Sequence, residues 1–202
     1  MSSGRVFSEA QLFFTHSDKN IRHKAIDTVK GLIELAAHFR ANVNIGRVRG
    51  YIADNENEAV VKKRFFSAMR ECADFAYGHG VSLLLEPVNR YEINFVNSVT
   101  EGIHVLQQIG RENVKLMPDL FHMNIEDASI VKSLRQAGPR IGYMHFADSN
   151  RWAPGQGHLN FPEVINTLKN IGYDDFVTLE ILPKPDPDSA ARMGLHYLRS
   201  LL

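Results

Sequence analysis

In the stretch Val81-Ser82-Leu83-Leu84-Leu85-Glu86, five uncharged residues run directly into a carboxylate. A short apolar run of this kind, rich in large aliphatic side chains, is the pattern of a strand buried on both faces, as in a parallel sheet. Its neighbours agree with that reading. Upstream, Glu58–Tyr77 places Val61, Phe65, Ala68, Cys72 and Phe75 at three- and four-residue steps and then meets Gly78 and Gly80, the spacing and stop signals of an amphipathic helix. Downstream, Val99–Ile109 is a second helical segment, and Val114–Pro118 a second strand-like run. The unit is therefore strand, helix, strand.

The same alternation extends in both directions. Strands are expected at Asn42–Val48, Val81–Glu86, Val114–Pro118, Ile141–Phe146 and Asp175–Ile181. Helices are expected at Ser17–Phe39, Glu58–Tyr77, Val99–Ile109, Asp127–Ala137, Phe161–Ile171 and Asp188–Leu201, with Met1–His16 a loop. Regular βα succession implies parallel strands joined by right-handed crossovers, hence an α/β doubly wound sheet or a (βα) barrel. No Pro/Gly/Ser-rich linker interrupts it, so residues 1–202 read as a single domain. Five strands cannot close an eight-stranded barrel, which takes about 250 residues. If the fold is a barrel, its first strands are expected to be absent.

Composition removes several classes of function. Lys+Arg and Asp+Glu both number 23, and the formal net charge is zero, so no global field recruits nucleic acid or anionic lipid. Apolar runs are far shorter than the ~20 residues of a membrane helix. With Cys72 the only cysteine and no signal-like amino end, a reducing cytoplasm is the expected compartment.

Glu86, Asp119, His145 and Glu180 each stand in or directly after a strand-like run. In parallel α/β folds the carboxyl ends of the strands open on one face, so residues far apart in sequence converge there. Taken singly, Glu86 or Asp119 reads as a helix cap or a solvated charge, and His145 as a packed histidine. Glu180 is harder to dismiss, because VTLEI places it in or at the end of a buried strand, where an unpaired charge is costly. Together, three carboxylates and one imidazole suit a hard divalent ion, Mn²⁺ or Mg²⁺, with Co²⁺ or Zn²⁺ tolerated. The cysteine count excludes a thiolate zinc site.

Longer motifs then carry a specific resemblance. Leu85-Glu86-Pro87-Val88-Asn89-Arg90-Tyr91-Glu92, Pro118-Asp119-Leu120-Phe121-His122-Met123-Asn124-Ile125-Glu126 and His145-Phe146-Ala147-Asp148-Ser149-Asn150-Arg151 resemble the metal-site motifs of the ketose 3-epimerases, within the xylose-isomerase-like barrel superfamily. Trp152–His158, Phe14-Thr15-His16 and Ile45–Gly50 are most similar to the branch containing 5-keto-L-gluconate epimerase. The resemblance implies an N-terminally truncated (βα) barrel whose relatives begin with three further strands. It implies an isomerase holding a divalent metal on Glu86, Asp119, His145 and Glu180, with both glutamates as the acid/base pair. Glu92, His122 and Arg151 then contact the sugar. The implied reaction is C3 epimerisation of a keto-sugar or keto-sugar acid, of the tagaturonate or 5-keto-gluconate type, through a metal-stabilised enediolate. Aldose–ketose isomerisation of the hydroxypyruvate kind shares that enediolate and is the alternative, as is an inactive fragment. A multi-zinc apurinic endonuclease of the same superfamily fits less well, lacking here the extra ligands and basic surface.

Arg47 and Arg49, two residues apart at the end of the first strand run, are expected to point the same way if the strand continues, with at least one receiving a substrate carboxylate. Cys72 is expected in the core. The remaining histidines have no second ligand at metal spacing, and His158 is expected either to close over the ligand or to cap its loop. An incomplete barrel exposes a strand edge, so a homo-oligomer is expected.

Overall fold

The computed structural model describes residues 1–201. Its strands β1 (Val43–Ile45), β2 (Leu83–Leu85) and β3 (Val114–Leu116) lie side by side in chain order, all parallel, with Val43, Leu83 and Val114 in register. β4 (Met144–Phe146) pairs in parallel with β5 (Val177–Leu179). Single parallel bridges, Leu116 to Ile141 and Asp119 to His145, carry the order from β3 to β4. Consecutive parallel strands with helical crossovers make an arc of a (βα) barrel.

The helices are α1 (Gly4–Ser8), α2 (Lys19–His38), α3 (Glu58–Gly78), α4 (Val99–Ile109), α5 (Leu120–Glu126), α6 (Ile130–Ala137), α7 (Phe161–Asn170) and α8 (Pro187–Arg199). Their starts are set by local chemistry. Asp18, Asn57, Ser98, Ser129 and Asn160 each accept a backbone N–H of the first turn, satisfying donors that the helix itself leaves unpaired. The apolar stripes face the outside of the strand arc: Val29, Ile33 and Ala36 from α2, Phe65, Met69 and Cys72 from α3, and Ile103 and Leu106 from α4 join Ile45, Leu83, Leu85 and Leu116 in one core. Cys72 is buried there as expected, and burial pushes its thiol up to about 12, so it stays a neutral core side chain.

The other face of the strands looks into the arc. Asn44, Leu84, Tyr143 and His145 line an interior cavity of about 470 Å³. Strand period explains the split, since Leu83 and Leu85 face the helices while Leu84 between them faces inward. Gly142 is needed at this inner layer: a Cβ there would lie 2.7 Å from Lys115 Cβ. Among the described residues β5 has no partner strand beyond β4, and Phe176 is 72% exposed, which agrees with the unpaired edge expected from sequence.

Several expectations need correction. The strands are three residues each, because the ladder ends where the chain turns into the loops that carry the charged residues. Met1–His16 is not all loop: Ser2 bridges in parallel to Asn44, Asn44 N–H donates to Met1 O at 2.8 Å, and α1 follows. A single bridging residue, Ser2, has no apolar pattern to betray it. The helix expected at Asp127–Ala137 is α6, which starts only at Ile130, and a further helix, α5, precedes it and ends at the extended backbone of Asp127. The first strand run stops at Ile45, and Arg47–Arg49 is a 3₁₀ turn.

Candidate metal centre and active site

Glu86 leaves the carboxyl end of β2, Asp119 caps α5 just after β3, His145 sits within β4, and Glu180 follows β5. Parallel register puts these positions at one mouth of the arc. One ligand atom from each residue lies within 4.8 Å of the others. His145 Nδ1 is 3.0 Å from Glu86 Oε1 and 3.3 Å from Glu180 Oε2. Arg151 Nη2 donates to Glu180 Oε2 at 2.6 Å, its Nη1 lies 3.5 Å from Asp119 Oδ2, and its guanidinium stacks 4.7 Å from the centre of the Phe121 ring.

Asp119 fulfils both of its sequence readings at once. Its Oδ1 accepts the Phe121 N–H at 2.8 Å, the helix-cap role, while Oδ2 is buried with no hydrogen-bond partner. An orphaned buried carboxylate oxygen beside two more carboxylates is costly unless a cation completes it. Burial and the charge of Glu86 push the Asp119 carboxyl well above the usual carboxylate range. Burial favours a neutral His145, but its hydrogen bonds to Glu180 and Glu86 outweigh this and raise it to about 10. Burial likewise opposes ionisation of Glu180, yet the hydrogen bond and charge of His145 hold it down to about 2. A proton on His145 thus stands between two carboxylates, the position a divalent cation would compete for. Three carboxylates, one of them with an orphaned oxygen, and one imidazole fit such an ion.

A cleft lined by Glu86, Glu92, His122, Arg151, Glu180 and Arg47 opens over this cluster. The structure thereby brings together every candidate residue except Arg49. Arg47 rests over the Phe7 ring, 5.5 Å from its centre, at the rim. Arg49 is fully buried and donates to four carbonyls: Phe95 O at 2.8 Å through Nε, Gly46 O at 2.9 Å and Glu86 O at 2.8 Å through Nη1, and Val96 O at 2.9 Å through Nη2. The expectation that Arg49 could meet a substrate carboxylate is corrected, because the 3₁₀ turn sends it inward and each of its three nitrogens already donates to a main-chain carbonyl. Arg49 instead ties the end of β1, the backbone of Glu86 and the loop at Phe95-Val96 into one unit. Arg49→Met is expected to destabilise the fold by roughly 3–5 kcal/mol, the scale for leaving buried polar partners unmatched, as read by urea unfolding. A loss below about 1 kcal/mol would contradict the clamp.

Sequence reasoning missed three supports. Asn44, at an inward position of β1, donates from Nδ2 to Glu86 Oε2 at 2.9 Å and so orients that carboxylate. A polar residue between Val43 and Ile45 was its signal. Asn89 donates to both Glu92 and His122. Asp148 is buried and accepts the N–H groups of Ser149, Gly155 and Leu159 at 2.8, 2.9 and 3.1 Å, folding the loop that presents Arg151. His158 belongs to that loop, its Nδ1 2.9 Å from Ser149 Oγ.

Comparison with known proteins places this geometry in context. A D-psicose 3-epimerase from Ruminiclostridium cellulolyticum is 34% identical over 166 residues, 80% of this chain and 55% of that protein. An L-ribulose 3-epimerase from a Methylomonas species is 39% identical over 128 residues, 63% of this chain and 43% of that protein. The chain therefore spans about half the length of these curated relatives. Among solved structures, a D-psicose 3-epimerase from Clostridium cellulolyticum with D-tagatose superposes with a TM-score of 0.85 at 27% identity, covering 94% of this chain and 74% of that one. The family defined by the xylose isomerase-like TIM barrel matches residues 4–201. No described helix is long and apolar enough to cross a membrane. With strand order, site geometry and family match in agreement, this chain belongs to the xylose isomerase-like TIM barrel family, among relatives named as ketose 3-epimerases.

Proposed function

We propose that this chain epimerises a free ketose at C3, with Glu86 and Glu180 as the proton-transfer pair. The observation that carries the reading is the convergence of those two carboxylates on one imidazole nitrogen, His145 Nδ1, at 3.0 and 3.3 Å, from strands at different places on the arc. Inverting a carbon alpha to a carbonyl requires a base on one face and an acid on the other. Two carboxylates entering from different strands meet that need. Glu86, Asp119, His145 and Glu180 would hold a divalent cation, Mn²⁺ in first place, which when bound supplies Lewis acidity to the sugar oxygens.

The chain's own residues do the rest. One glutamate removes the C3 proton and the other, already protonated, delivers its own proton to the opposite face. Arg151, already paired with Glu180 and close to Asp119, brings a fixed positive charge toward the oxygen on which negative charge develops. His122 and Glu92 line the same cleft and hold sugar hydroxyls. Arg47 at the rim is the remaining group able to receive a sugar carboxylate, so a preference for a keto-sugar acid rests on it alone.

The test is incubation of the chain with Mn²⁺ and D-psicose, L-ribulose or a keto-sugar acid, with products resolved by NMR. The C3 epimer is the expected product. An aldose as sole product would transfer the assignment to aldose–ketose isomerisation. If Arg47 selects acids, Arg47→Ala lowers kcat/KM for the keto-sugar acid and leaves the neutral ketose unchanged; equal effects on both would remove Arg47 from specificity.

A further inference from the structure

We infer that Asn89 fixes the tautomer of His122, holding the proton on Nε2 so that the ring enters the cleft as a hydrogen-bond donor. Its consequence for turnover rests on the C3-epimerase reading above; the tautomer itself does not. The argument begins with the orientation of the Asn89 amide. Tyr91 N–H donates to Asn89 Oδ1 at 3.0 Å, and a backbone N–H can only donate, so this atom is the oxygen and the other is the nitrogen. That nitrogen, Nδ2, carries two hydrogens and no lone pair to offer. It lies 3.1 Å from Glu92 Oε1 and 2.8 Å from His122 Nδ1. Each neighbour must accept. A His122 Nδ1 that accepts has no hydrogen, so the ring proton resides on Nε2.

The surroundings preserve this state. Asn89 and His122 are both buried, so water does not offer Nδ1 an alternative partner. The segment holding Asn89 is anchored from the next residue, since Arg90 N–H and Nε donate to Glu126 Oε1 at 2.6 and 2.9 Å at the end of α5, the helix that carries His122. On the far side of the ring, Nε2 is 3.8 Å from Asp119 Oδ2, beyond hydrogen-bond reach, and His122 lines the cleft. Its N–H is thus available to a sugar oxygen. With the tautomer fixed, His122 donates and does not compete with the two glutamates for the moving proton. Asn89 is a positioning residue: it acts through His122 and Glu92.

The direct test is long-range ¹⁵N–¹H NMR of the imidazoles, with and without Mg²⁺ as a diamagnetic cation, assigning His122 by its loss in His122→Gln. The expected spectrum has a pyridine-like Nδ1 and a pyrrole-like Nε2 for His122. A pyrrole-like Nδ1 in the unaltered chain would overturn the inference, with no variant required. Asn89→Asp replaces the donor by an acceptor of the same size. It is expected to move the proton to Nδ1 and lower kcat about 100-fold, the scale for losing one oriented donor. An unmoved tautomer in Asn89→Asp, or an inverted tautomer with unchanged kcat, would also overturn it. Should the chain epimerise no ketose at all, the NMR assignment would stand and the proposed function would fall.

Discussion

Glu180→Gln is expected to abolish exchange of the substrate's C3 hydrogen with solvent, lowering it by about 10²- to 10⁴-fold, the range for removing a positioned acid or base. The two glutamates do not stand in equivalent surroundings. Glu86 is 7% exposed and held on both oxygens, by Asn44 Nδ2 and His145 Nδ1. The Glu180 side chain is 47% exposed. A proton carried by Glu180 is therefore free to exchange with water before it is delivered to C3, whereas one carried by Glu86 is sheltered. In heavy water the unaltered chain should build deuterium into C3 of the product, and Glu180→Gln should not.

Because Glu180 is also a candidate ligand, the comparison belongs at saturating cation, where weakened binding no longer limits turnover. Gln keeps the shape and the hydrogen-bonding capacity toward Arg151 but cannot accept a proton. Retained deuterium incorporation in Glu180→Gln would remove Glu180 from the chemistry.

The parts of the site that were legible in the sequence are those governed by strand period and strand ends. Glu86, Asp119, His145 and Glu180 stand out because each polar residue interrupts or terminates an apolar run, and parallel topology has only one place to bring such ends together. Arg49 was misjudged for a physical reason. An i,i+2 argument holds only while the chain remains extended, and at Gly46 it does not; the backbone there has ψ near −120° and opens a 3₁₀ turn. Partners of a buried guanidinium that are all main-chain carbonyls leave no mark in residue types. The segment Leu120–Glu126 was hidden as well, since seven residues give too little periodicity to separate from the loop that bears Asp119. Val96, whose carbonyl takes both Arg49 Nη2 and Val88 N–H, adopts φ of 59°, a conformation no propensity would assign to a β-branched residue. Tertiary hydrogen bonds set it.

Cation binding is expected to expel protons, and its strength should rise with pH. The imidazole of His145 is raised to about 10 by Glu180 and Glu86, so in the cation-free chain at neutral pH it is protonated between them. A nitrogen that ligates must first lose that proton. The direction for stability follows from the same shift. A folded-state value above the ordinary 6.5 means the imidazolium contributes stability fully below about 6.5, and this contribution fades as pH rises through about 10. The cation-free chain should weaken across that window while the cation-bound chain does not, so added Mn²⁺ should stabilise more at higher pH. At 100 times its dissociation constant a bound ion stabilises by about 2.7 kcal/mol, or roughly 5–10 °C in Tm for a chain of this size. Asp119→Asn should erase most of that gain: the amide can still cap α5 through its carbonyl oxygen, but the orphaned Oδ2 is replaced by an NH2 group that cannot ligate a cation. Titration calorimetry in buffers of different ionisation enthalpy reads the released protons directly. Heats independent of the buffer, or an Asp119→Asn chain stabilised by Mn²⁺ as much as the original, would show that these four side chains meet for a reason other than a shared ion.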